Sequence, residues 1–227
     1  MRYENKFVLP LHAYPGFLAQ LRTSRFFFSE IYHERRVNNI YLDTKDYKNL
    51  FDNFHGLQNR EKHRIRWYGS EKSVEKPILE YKIKHGEMGY KEYYNLPRFS
   101  FDDAFDFGAL LDSIHHESKE NLHKYKAMYQ DILVEVPTLY NTYLRRYFLS
   151  ADGNFRLTLD KDLDYKMINR WFNGLTGFSE NKLVIELKYE RNNIRKAGEI
   201  LQELGLRLSR NSKYLVGMQG IYYNLFE

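Results

Sequence analysis

The 227-residue chain has no cysteine and only five prolines. It also lacks any apolar run near the roughly 20 residues needed to cross a bilayer. Without thiols there is no disulfide framework, thiolate zinc site, iron–sulfur cluster or cysteine nucleophile. The opening residues, Met1 to Phe7, lack the basic stretch and apolar run of a signal peptide. These absences lead us to expect a cytoplasmic protein that reaches a membrane only through a separate membrane-protein partner. No internal repeat, low-complexity tract or Gly/Ser linker is present, and charges are mixed throughout. One domain over residues 1–227 is the expectation. A Gly-rich P-loop is also missing.

What is present is aromatic: 20 Tyr, 16 Phe and 2 Trp, or 17% of the chain, within a 43% hydrophobic and 29% charged composition. That excludes a disordered chain and suits a β-rich domain, because Tyr has an apolar body and a polar tip. The net charge of +5 is too small to name a partner.

Period-two alternation marks strands at 2–9, 38–43, 63–68, 78–84, 90–95, 139–149, 155–160 and 182–189. Residues 85–89 and 151–154 read as hairpin loops. Helical patterns lie at 15–23, after an N-cap at Ser100, at 121–129, along Ile194, Ala197, Ile200, Leu201 and Leu204 up to Gly205, and at 213–223. About eight antiparallel strands with helices between and after them predict an α+β fold closed into an antiparallel β-barrel.

The strand faces carry the functional signal. Glu4 and Lys6 share a face, as do Arg64 and Arg66, then Glu80, Lys82 and Lys84, then Tyr143, Arg145 and Tyr147. Arg156, Thr158 and Asp160 align on another strand, and Glu186 and Lys188 on the last. With Arg2, Lys91 and Lys213 added, eleven bases meet four acids, a surplus larger than that of the whole chain. A solvated polar face would mix Thr, Ser, Gln and both charge signs. Eleven bases on one face repel one another unless an anion or solvent screens them. If the faces turn inward they line a cavity that requires a polyanion, and the carboxylates can hold a divalent metal on its phosphates.

At these residues the sequence resembles the VTC domain, the polyphosphate polymerase module of the triphosphate tunnel metalloenzyme (CYTH-like) superfamily. The matching segments are Arg2 to Phe7, Tyr41 to Thr44, Arg64 to Tyr68, Glu80 to Lys84 with Lys91, Tyr143 to Arg145, Arg156 to Asp160, Glu186 to Lys188 and Ser212 to Tyr214, in the family's order. The resemblance implies an eight-stranded tunnel in which the ATP γ-phosphoryl is moved onto a polyphosphate chain with Mn²⁺ or Mg²⁺. It assigns transfer to Arg64, Arg66, Lys82 and Arg145. Lys6, Lys84, Lys91, Tyr143, Arg156, Lys188, Ser212 and Lys213 are expected to bind phosphate, and Glu186, Glu4 and Glu80 to bind the metal. Hydrolase and cyclase members open with Glu-x-Glu-x-Lys. Here Arg2 replaces the first Glu, which favours the polymerase branch. Eukaryotic members carry an SPX domain and membrane helices, so if this tunnel feeds a membrane translocator, that translocator is expected to be another chain.

Two alternatives stand beside this reading: a metal-dependent triphosphatase or polyphosphatase, and a non-catalytic polyanion-binding module. Nucleic acid is not an expected partner. The run Asp160-x-Asp162-x-Asp164 resembles the start of a calcium loop, but Tyr165 and Trp171 stand where that loop needs Gly and Glu.

Overall fold

The computed structural model describes residues 2–70, 72–86, 88–102, 105–118, 130–168 and 177–226. Its strands are β1 (Arg2–Pro10), β2 (Ser29–Thr44), β3 (Arg60–Tyr68), β4 (Ser73–Val74), β5 (Ile78–His85), β6 (Met88–Asn95), β7 (Phe99–Ser100), β8 (Glu135–Leu149), β9 (Arg156–Met167), β10 (Gly177–Glu180) and β11 (Lys182–Glu190). Its helices are α1 (Tyr14–Arg22), α2 (Lys48–Phe54), α3 (Phe107–Ser118), α4 (Ile194–Glu203) and α5 (Lys213–Phe226). The fold is α+β. Eight strands hydrogen-bond in the order β1-β11-β9-β8-β2-β3-β5-β6, β10 adds to β9, and β4 pairs with β7. The ladders β1–β11, β11–β9, β2–β3, β3–β5 and β5–β6 are antiparallel.

The chain divides into two compact units, and β2, β8 and β9 run through both. The first comprises residues 1–36, 142–164 and 179–213. Its core is the apolar set of alternate strand residues, Phe7, Phe155, Leu157, Leu159, Ile185 and Leu187, packed against Phe17 and Leu21 of α1 and Ala197 and Ile200 of α4. Because strand side chains alternate, covering this face with helices leaves the charged residues of β1, β9 and β11 on the other. The hairpin predicted at 151–154 forms: Ser150 N–H donates to Phe155 O at 3.0 Å, and Gly153 has φ +71°.

The second unit comprises residues 37–141, 165–178 and 214–227. Ile40, Leu42, Ile65, Trp67, Leu79 and Tyr81 form its core with Phe107, Leu110 and Ile114 of α3. Here the alternation again separates an apolar from a charged face, and aromatic rings make up much of the packing. Trp67 alone meets Phe99, Phe101 and Tyr140 with ring centroids 5.6–6.1 Å apart.

The helix expected from Ser100 starts later. Ser100 ends β7, and Asp106 caps α3, accepting from Gly108 N–H at 2.7 Å. Phe101 packs on Trp67 and Tyr140, and Phe105 packs on Phe99 and Phe101, because burial of an aromatic ring outweighs a modest helical preference. The helix expected at 121–129 lies outside the described residues. Helix α2 was not foreseen, being short and only seven residues long.

Candidate functional site

Each unit carries a charged strand face opposite its helix-covered one. In the first unit, the β1–β11 register sets Lys6 opposite Glu186 and Glu4 opposite Lys188. The β11–β9 register sets Glu186 opposite Thr158 and Lys188 opposite Arg156. Lys6 Nζ lies 3.4 Å from Glu4 Oε1 and 3.5 Å from Glu186 Oε1, and donates to the Asn211 carbonyl at 3.0 Å. Lys188 Nζ lies 3.2 Å from Glu186 Oε2 and 3.7 Å from Glu4 Oε2. The two carboxylates thus share two ammonium groups.

Beside them sits Asp160, wholly buried. It accepts from Arg145 Nε at 2.5 Å, Arg145 Nη2 at 2.6 Å and Lys213 Nζ at 2.6 Å. Arg145 Nη2 is also 3.8 Å from Glu186 Oε2. The Tyr143 ring lies under both cations, 4.6 Å from Lys213 Nζ and 5.2 Å from the Arg145 guanidinium carbon. Ser212 is half-buried next to Lys213. Arg156 is exposed, and with Lys188, Gly153 and Asn154 it lines a cavity of about 230 Å³.

Burial pushes the Asp160 carboxyl up, but Arg145 and Lys213 outweigh it and hold it below its usual value. Burial acts likewise on Glu186, and Lys6 and Lys188 carry it well below the usual range. Burial pulls Lys213 down, while Asp160 and Tyr143 more than restore it, so it stays protonated. Asp160, Glu186, Arg145 and Lys213 are therefore charged at neutral pH.

In the second unit, Glu80 takes the place of Asp160 as the organising carboxylate. Its Oε2 accepts from Arg64 Nε at 2.6 Å and also from Arg64 Nη2. Its Oε1 accepts from Arg66 Nη1 at 3.3 Å. Arg66 Nε donates to Asn39 Oδ1 at 2.9 Å, and Arg64 Nη1 reaches the Tyr41 hydroxyl at 3.5 Å. Burial raises the Glu80 carboxyl, but Arg64, Arg66 and Lys91 overcome this and take it down to about 2. One rung further, Lys62, Lys82 and Lys91 are register partners across β3, β5 and β6, and Arg60 faces Lys84 beyond them. Like charges opposed across strands are unfavourable without an anion or solvent to screen them.

Four residues of these faces were not singled out as site residues from the sequence. Arg60 and Lys62 precede the apolar alternation that marks β3. Asn39 looked like an ordinary strand residue. Asp160 was visible as an acid on its strand, but spacing could not show that it is the buried hub of two cations. Asp43 is structural: its carboxylate accepts from the N–H groups of Asn49 and Leu50 at the start of α2, both at 2.9 Å, and from the Tyr214 hydroxyl at 2.6 Å.

A family model described as the VTC domain matches residues 1–222. The chain belongs to the VTC domain family. Among curated proteins, none matches it in sequence. Two solved structures resemble the VTC domain in fold. A candidate adenylate cyclase from Vibrio parahaemolyticus is 13% identical with a TM-score of 0.51, over 95% of this chain and 97% of that one. A candidate adenylate cyclase from Bacillus halodurans is 15% identical with a TM-score of 0.54, over 93% and 94%. At these identities the likeness is one of fold alone, and it agrees with the antiparallel α+β architecture expected from the sequence.

Among the described residues of the VTC domain, no group of three or more His, Asp or Glu side chains forms a ready metal cage. The family's divalent metal must therefore be tested against smaller donor sets. Glu4 and Glu186 fit one: they already bracket the same positive charges, and Mg²⁺-type sites take one or two carboxylates and complete their shell with phosphate and water. Glu80 fits less well, because both of its oxygens are engaged by arginines.

Proposed function

We propose that the protein transfers the γ-phosphoryl group of ATP onto the end of a polyphosphate chain. The observation that carries the phosphate-binding part is the charge surplus of the first unit's face. There Lys6, Arg145, Arg156, Lys188 and Lys213 meet only Glu4, Asp160 and Glu186, and four of those five cations are at least partly buried. Cations held out of water in excess of their carboxylates call for an anion. The second unit's face carries Arg64, Arg66, Lys82, Lys84 and Lys91, cations of the same kind. Arginine suits bidentate phosphate contact and lysine a point contact.

The reaction needs in-line placement and neutralised oxygens rather than a protein nucleophile. A terminal oxygen of the acceptor chain attacks the γ-phosphorus, the bond to the β–γ bridging oxygen breaks, and ADP leaves. We assign roles in transfer to Arg64, Arg66 and Lys82 on the second unit's face and to Arg145 on the first unit's face. Lys6, Lys84, Lys91, Arg156, Lys188, Lys213, Tyr143 and Ser212 hold the flanking phosphates. A Mn²⁺ or Mg²⁺ ion, held by Glu186 and Glu4, would neutralise phosphate oxygens. Glu80 we assign to orienting Arg64 and Arg66. The choice of polymerase over hydrolase rests on Arg2, which stands where hydrolase and cyclase members carry a metal-binding Glu. A separate membrane protein is the proposed route to any membrane, since among the described residues no helix is long and apolar enough to cross one.

Arg66→Ala and Lys82→Ala test the assignment. Each is expected to lower polymer formation from ATP roughly 10²-fold or more while circular dichroism shows a folded protein. Full activity in both variants would contradict it.

A further inference from the structure

Among the described residues of the first unit's charged face, Asp160 is the one wholly buried carboxylate, and the function proposed above gives it no task. An isolated carboxylate in that position is costly, and removing it would strand the two buried cations it holds. Its geometry is more specific than charge balance requires. Arg145 is gripped side-on through Nε and Nη2, so the plane of its guanidinium is fixed. Nη2 also lies 3.8 Å from Glu186 Oε2, and Nη1 is not used by Asp160. Lys213 gives Asp160 one proton of three, and Tyr143 supports both cations from beneath. Arg145 sits on β8, Asp160 on β9 and Lys213 at the first turn of α5. One carboxylate therefore locks cations from a strand and a helix into a common frame.

We propose that Asp160 is a positioning residue that fixes Arg145 and Lys213 for the transferring phosphoryl group, setting the rate of transfer rather than the strength of phosphate binding. The proposal rests on the phosphotransferase reading above. It carries a sign that a purely electrostatic or purely structural role does not. Removing the Asp160 charge makes the site more positive, so ground-state binding of a polyanion should hold or tighten, while loss of orientation slows the chemical step.

The test compares wild type with Asp160→Asn in three measurements. These are calorimetric affinity for inorganic triphosphate, turnover at saturating ATP with Mn²⁺, and the rise in melting temperature caused by triphosphate. For the variant we expect affinity unchanged or tighter, and turnover lower by roughly tenfold or more. We also expect a lower melting temperature without ligand and a larger rise with it, since the anion takes over the stranded cations. Turnover equal to wild type would overturn the proposal. So would affinity and turnover falling together in step with the folded fraction. Should Asp160→Asn not fold, Arg145→Lys keeps the charge but loses the side-on grip, and it is expected to show the same split, with affinity near wild type and slow turnover; wild-type turnover in it would overturn the proposal. A wild-type protein that binds no triphosphate overturns the phosphotransferase reading and this inference with it. A wild type that binds and turns over while both variants match it overturns this inference alone.

Discussion

A carboxylate among cations is the recurring residue-scale unit of this protein, and it has a signature in acid. Glu80 titrates near 2, and Asp160 and Glu186 are also held below their usual values by the bases around them. A carboxyl whose folded pKa is depressed contributes stability that is present above its unfolded value, about 4.3 for Glu, and lost as pH falls through the folded value. Denaturant stability should therefore be nearly flat above about pH 5 and fall steeply from there toward pH 2. Glu80→Gln should be less stable at pH 7 and show a shallower acid decline, because one of the linked groups is gone. A wild-type curve flat down to pH 2 would contradict the ion-pair geometry. At this scale the sequence was informative about residue type and face but not about hierarchy. Period-two spacing placed Glu186, Lys188, Arg156 and Asp160 on one surface. It could not show that Asp160 is sealed from solvent while Arg156 is exposed, since that depends on what α5 brings across the strand.

Among elements, strands were easier to read than helices. Alternation located all eight long strands, but β2 and β3 begin earlier than the alternation suggests, which is why Arg60 and Lys62 escaped notice. Helix starts were harder, because Ser100 has the chemistry of a cap while Trp67 offers Phe101, with Phe105 packed on it, a better burial site. Helix α5 shows a constraint that no periodicity reveals. A Cβ at Gly217 would lie 2.6 Å from both Leu139 Cδ2 and Tyr165 Cδ1, so the glycine is what lets the helix approach β8 and β9 closely. Tyr165 is itself stacked on Phe178 at 4.9 Å and cannot easily yield. Gly217→Ala should cost about 1–3 kcal/mol by overpacking, despite alanine's better helix propensity. Urea denaturation would check this, and a stabilised variant would show that the close approach is absent.

For the molecule as a whole, composition concealed the chemistry that arrangement reveals. A net charge of +5 over 227 residues points to nothing, yet bases gather on strand faces while many aromatic rings pack the opposite, helix-covered faces. Family membership was legible because the matching segments fall in order along nearly the whole chain, and the VTC model matches residues 1–222. The choice between transfer to a phosphate chain and transfer to water was less legible, because both need the same cations and differ in what occupies the acceptor position. One measurement separates the two outcomes. Purified protein is incubated with γ-labelled ATP and Mn²⁺, and the products are resolved by gel and assayed for released phosphate. The proposed function requires a ladder of labelled polymer. Release of orthophosphate without polymer would make the protein a hydrolase, and absence of both products would leave it a polyanion-binding module; either result contradicts the polymerase reading.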